Sequence, residues 1–129
     1  MSELQVILDT NFLMLPGIFG LDIFSELDRV LEQRYKLVVP SPVAEELKKI
    51  SAAGGPKDRS AARLALGMLP RAETVESSLS ADDAIMELTQ RGECAVGTND
   101  AELRRRLKDS EIPVIYLRQK SHLAINGRV

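Results

Sequence analysis

Soft metal ligands are nearly missing from this chain: its 129 residues include one cysteine, Cys94, and one histidine, His122. A lone cysteine excludes an internal disulfide and fits a reducing, cytoplasmic setting. One cysteine with one histidine argues against a zinc site of the Cys/His kind. Any metal must then be held by oxygen, which favours Mg²⁺ or Mn²⁺. Long apolar runs are missing too, and none approaches the ~20 residues needed to span a membrane. The short acidic start, Met1-Ser2-Glu3, does not read as a secretory signal. Charge of one sign is also lacking: 17 basic and 19 acidic residues leave a net charge of −2, with no global pull toward nucleic acid. There is no Ser-His-Asp set, P-loop or Gly-rich dinucleotide turn. With no repeat, low-complexity tract or linker, one domain over 1–129 is expected, with a short basic tail from about residue 118.

What is present is organised around Val6-Ile7-Leu8-Asp9-Thr10-Asn11. An apolar run that ends abruptly in a carboxylate reads as a buried strand whose last residue emerges at the sheet edge. The patch Phe12 to Leu15 follows, stopped by Pro16 and Gly17. Ile23, Phe24, Leu27, Val30 and Leu31 recur at helical spacing over about 21–33, and Lys36 to Val39 is a second strand. Ser41-Pro42 predicts an N-cap and a first helical residue, for a helix over about 42–50. A break at Ala53 to Pro56 precedes a helix over 58–68, with Ala61, Leu64, Ala65 and Met68 inward. Residues 71–75 are weakly extended. Ser80 with Asp83 forms a capping box for a helix that Gly92 ends. Cys94 to Gly97 is a buried strand. Asn99 is expected to cap the next helix with Glu102 as partner, Leu103 and Leu107 pointing inward. Pro113 to Leu117 is the last strand, and the tail has no clear period. Alternating short strands and helices imply an α/β fold with a parallel sheet and helices on both faces.

In such sheets ligands bind just past the carboxyl ends of the strands. Asp9 and Asp100 directly follow strands, while Glu46 and Asp82 lie early in helices that follow strands. All four can face one cleft, where they repel one another unless a cation intervenes, so a divalent metal site is expected.

These residues resemble a PIN-domain protein, a family of metal-dependent ribonucleases. Four pieces carry the resemblance: Val6 to Asn11, Val43-Ala44-Glu45-Glu46-Leu47, Ala81-Asp82-Asp83-Ala84-Ile85, and Thr98-Asn99-Asp100-Ala101-Glu102-Leu103. It covers about Val6 to Leu117 and implies a Rossmann-like three-layer α/β/α sandwich with a central parallel sheet of four to five strands. Carried over by position, Asp9, Glu46, Asp82 and Asp100 match the family's acidic quartet binding Mg²⁺ or Mn²⁺. Glu46 fits better than Glu45, and Asp82 better than Asp83. Thr10, Asn11, Thr98 and Asn99 match supporting polar positions. The segments Thr98 to Leu107 and Pro113 to Leu117 look most like archaeal and ribosomal-RNA-processing members. The resemblance implies a homodimer, for which Phe12 to Phe19 is a candidate contact.

Rival explanations exist for most of these residues. Acids in first turns stabilise helices by capping and by the helix dipole. Asp82 and Asp100 are assigned to the metal; Asp83 and Glu102 are assigned to capping or support. Cys94 reads as a small buried hydrophobe and His122 as a surface or packed residue. Arg104, Arg105, Lys48 and Lys49 are assigned to RNA phosphates, against the bland reading of solvated helix faces. The expected activity is metal-assisted, in-line hydrolysis of phosphodiester bonds in single-stranded RNA. It would serve RNA processing or a toxin held by a protein antitoxin. The alternative is a catalytically weak RNA-binding or ribosome-assembly subunit. A haloacid-dehalogenase-like phosphatase would need a second Asp where Asn11 stands.

Overall fold

The computed structural model describes residues 3–129, so Met1 and Ser2 of the acidic start lie outside the described residues. The strands β1 (Leu4–Leu8), β2 (Tyr35–Pro40), β3 (Glu73–Val75), β4 (Cys94–Gly97), β5 (Val114–Arg118) and β6 (His122–Asn126) form one sheet ordered β3-β2-β1-β4-β5-β6. Between them run α1 (Thr10–Leu13), α2 (Leu15–Phe19), α3 (Ile23–Leu31), α4 (Ser41–Ala53), α5 (Pro56–Met68), α6 (Ala81–Leu88) and α7 (Ala101–Asp109). β1 is central and apolar on both faces: Val6, Ile7 and Leu8 are fully buried, each worth about 1.5–3 kcal/mol by removal from water.

The chain steps from β1 outward to β2 and β3, then returns to place β4 against the other side of β1. Right-handed crossovers in opposite directions put their helices on opposite faces of the sheet, which makes the three-layer α/β/α sandwich. The reversal also opens a crevice between the carboxyl ends of β1 and β4, the topological switch point of the sheet. Asp9 and Thr98 stand at its two lips.

Several expectations are corrected. Among the described residues the sheet has six strands, because the tail beyond Leu117 turns back as β6, antiparallel to β5. Pro16 and Gly17 do not stop a patch; Pro16 opens α2, and a Cβ on Gly17 would collide with Ala61 of α5. Phe12, Leu13, Met14 and Leu15 fill the chain's own core, and of the large apolar side chains in the Phe12–Phe19 patch Phe19 alone is exposed among the described residues. Ser41 is the first residue of α4 and not its cap; its hydroxyl exchanges hydrogen bonds with the backbone of Ser77 (2.9 and 3.3 Å). On α5, Ala62 joins Ala61 and Ala65 inside while Leu64 points outward.

Candidate active site

Asp9 leaves β1 as the N-cap of α1, its Oδ1 accepting from the Phe12 backbone N–H at 2.8 Å. Its Oδ2 accepts from the Thr98 hydroxyl, and that same hydroxyl oxygen accepts from the Asp100 N–H at 3.0 Å. Thr98 thus links the acid that ends β1 to the residue that opens α7. Gly97, one residue earlier, keeps this corner close-packed: a Cβ there would come within 2.9 Å of Leu8 and 3.1 Å of Phe12. Asp9 and Thr98 are both buried.

Burial dominates the electrostatics of Asp9. Loss of water pushes its carboxyl up to about 6 from 3.8, against the hydrogen bonds from Thr98 and Phe12, and the negative charges of Asp82 and Asp100 push it further. Asp82, in the first turn of α6, is likewise raised by burial and then by Asp100; Arg106 opposes this, while Glu102 and Glu46 add to it. The acids that the sequence places in four separate segments therefore act on one another through a shared field. Asp9, Asp82 and Asp100 are its centre. Glu46, exposed in the second turn of α4 rather than in its first, reaches it through Asp82.

Among the described residues no three acidic, His or Cys side chains already converge as a ready ligand set. The donor chemistry nonetheless fits a hard dication: every group is a carboxylate or hydroxyl oxygen, and the raised acids are those a cation would relieve. The Thr10 hydroxyl, buried directly after Asp9, finds no hydrogen-bond partner among the described residues, an orphan of the kind that marks unfinished polar sites.

The supporting residues divide. Asn99 does not cap α7. Asp100 does, its Oδ1 accepting from the N–H groups of Glu102 (2.9 Å) and Leu103 (3.0 Å). Asn99 instead accepts from the Leu117 N–H at 2.8 Å and ties β5 to the crevice. Asp83 pairs with Arg106 across α6 and α7 at 3.2 Å. Asn11, Lys48 and Lys49 are exposed. Arg104 lies over the Tyr116 ring, 4.4 Å from its centroid, and with Arg105 lines a groove on the flank of α7. The arginine beside the acids is Arg106, the third of a run whose first two members the sequence assigns to RNA. Nothing in Arg104-Arg105-Arg106 separates the three until the side that Leu103 and Leu107 bury is known.

A family described as a PIN-like domain matches residues 6–120. Ribonuclease VapC4 of Methanocaldococcus jannaschii is 32% identical over 129 residues, covering 97% of this chain and 98% of the relative. Ribonuclease VapC9 of Archaeoglobus fulgidus is 31% identical over 119 residues, covering 92% and 87%. Among solved structures, the PIN domain endonuclease Utp24 superposes with a TM-score of 0.77 at 26% identity, covering 97% of this chain and 95% of that one.

Proposed function

The chain belongs to the PIN-like domain family, and from that premise we propose that it is a metal-dependent endoribonuclease cutting phosphodiester bonds of single-stranded RNA. The observation that carries the reading is the buried Asp9 at the switch point, held by Thr98 in the field of Asp82 and Asp100. The names of the archaeal relatives, ribonucleases both, support the substrate class. Asp9, Asp82 and Asp100 would hold a Mg²⁺ or Mn²⁺ ion, with Glu46 at the rim. When bound, such an ion neutralises developing charge on the phosphate and lowers the pKa of a water.

The chain's own residues prepare the site. Phe12 N–H and Thr98 fix both oxygens of Asp9, so its carboxylate needs no reorganisation. The Thr98 link couples that orientation to the start of α7. Arg106 pairs with Asp83 and lends positive charge beside Asp82. We include a homodimer in the proposal, and either an RNA-processing setting or a toxin's protein antitoxin. Growth arrest on induction, relieved by the product of an adjacent small reading frame, would assign the toxin setting.

The test is cleavage of defined single-stranded RNAs with Mn²⁺ or Mg²⁺, by wild type and by Asp9→Asn. Internal cuts by wild type, absent in EDTA and in the variant, are expected. Cuts that persist in EDTA, or in Asp9→Asn, would overturn the metal-site reading. RNA binding without cuts under either ion would favour the binding-subunit alternative.

A further inference from the structure

We propose that the flank of α7 carries a second binding site, a groove that takes the phosphate backbone of an RNA strand extending beyond the acidic centre. The proposal rests on the nuclease reading and adds a path for the substrate. The groove encloses about 640 Å³ between α7 and the paired ends of β5 and β6. Arg104, Arg105 and Lys108 line it from α7 and Arg128 from beyond β6, with Glu111 the one acid among its lining residues and Ile112 on its apolar floor.

Its position ties it to the acids. Ala101, at one end of the groove, directly follows Asp100. α7 then runs back along the sheet to Lys108. The far end lies where Val114, the first residue of β5, pairs with Asn126. The groove therefore starts beside the acidic centre and leads away from it. Positions 101, 104, 105 and 108 share one helix face, and Arg104 and Lys108 are about 6 Å apart along the axis. That rise is of the order of the spacing between successive phosphates on an extended strand. Stacking on Tyr116 holds the Arg104 guanidinium in place, and the apolar floor suits the faces of bases.

The arginine run is split in function by the helix. Arg106 faces Asp83 and the acids, whereas Arg104 and Arg105 face the groove. A strand cut at the acidic centre must continue on at least one side, and this flank offers it four cations against one acid. An acidic protein segment could exploit the same charge but has no reason to begin at the centre of phosphodiester cleavage.

The experiment measures anisotropy of a labelled 20-residue oligouridylate in EDTA across a salt series, for wild type and for Arg105→Ala/Arg128→Ala. Both replaced residues are exposed, so melting temperature should change little and serves as the folding control. Affinity at low salt should fall about tenfold, and the salt slope should flatten by about 1.4, or ~0.7 for each lost phosphate contact. Arg105→Lys/Arg128→Lys should recover the slope. An unchanged slope in the alanine variant overturns the groove even if wild type cuts RNA with Mn²⁺. The expected slope change in a protein that never cuts RNA sustains the groove and removes the nuclease reading. If the alanine variant loses binding of an oligoglutamate peptide while binding the RNA as wild type does, the groove belongs to a protein partner and the proposal fails.

Discussion

Removing Asp9 from water costs more than its two hydrogen bonds return, which is why its carboxyl is pushed up to about 6. In metal-free protein the folded state then holds this proton more tightly than the unfolded chain. The resulting stabilisation is complete below pH 3.8 and is lost as pH rises through about 6. The span corresponds to roughly 3 kcal/mol at about 1.4 kcal/mol per pH unit. Asp9→Asn keeps an oxygen for the Phe12 N–H and removes the charge. In EDTA near neutral pH it is expected to melt several degrees higher than wild type, with a flatter dependence between about pH 4 and 7. It should also gain less from added Mn²⁺. A variant that melts lower in EDTA, yet gains as much from Mn²⁺ as wild type, would refute the assignment of Asp9 to a metal. Thr98→Val tests the link between the two lips. It strips a donor from Asp9 and an acceptor from the Asp100 N–H, at about 1–3 kcal/mol of stability. RNA cleavage should drop about 10- to 100-fold, as when a ligand's support is removed, and Thr98→Ser should recover most of it. Equal activity of the valine and serine variants would make Thr98 a packing residue only.

At the scale of elements, the β5–β6 hairpin turns through Gln119 and Lys120, both left-handed at φ 54° and 58°. Those dihedrals suit Asn-Gly, and each ordinary residue there carries a cost on the order of 1 kcal/mol. Lys120→Gly is therefore expected to stabilise the fold by about 1 kcal/mol in denaturant melts, and a loss of stability would show that the turn is not strained. The outer edge of β6 is closed by α3: the Leu123 N–H donates to Glu26 at 2.8 Å, and Arg29 donates to the Leu123 carbonyl at 2.7 Å. The bonds from Arg29 and from Leu123 hold the Glu26 carboxyl below its usual range. A lowered carboxylate contributes stability that is present above the unfolded pKa and is lost as pH falls through the folded one. Glu26→Gln should weaken the acid-side loss of stability and loosen β6, read as faster amide exchange at Leu123. Where α2 meets α5, Gly17→Ala should cost about 1–3 kcal/mol by forcing the helices apart.

For the whole molecule, the dimer proposal now points elsewhere than the run from Phe12 to Ile18. Phe19 on α2 and Leu64 on α5 are exposed apolar side chains on two helices that pack together. Light scattering should give two chains for wild type, and Phe19→Ser/Leu64→Ser should shift the mass toward one. A single-chain mass for wild type across micromolar concentrations would remove the dimer. The acids share a field only because the sheet reverses between β1 and β4, so the site belongs to the topology and not to any one segment.

The sequence by itself determined β1, β4 and the capped start of α6. Each is written locally, in an apolar run ending at Asp9, in Cys94 to Gly97, and in Ser80 with Asp83. It did not show the sixth strand, because Gln119-Lys120 is not the residue pair that announces a tight hairpin. The sequence assigns the α7 cap to Asn99, although Asn and Asp are comparable caps. Only the closeness of Leu117 decided that Asn99 serves β5 and Asp100 serves α7. The tertiary structure likewise sorted the three consecutive arginines and paired Ser41 with Ser77. The physical reason is the same in each case. Periodicity and capping depend on neighbours a few residues away, whereas the partner of a polar side chain is chosen by whatever the sheet brings within about 3 Å of it.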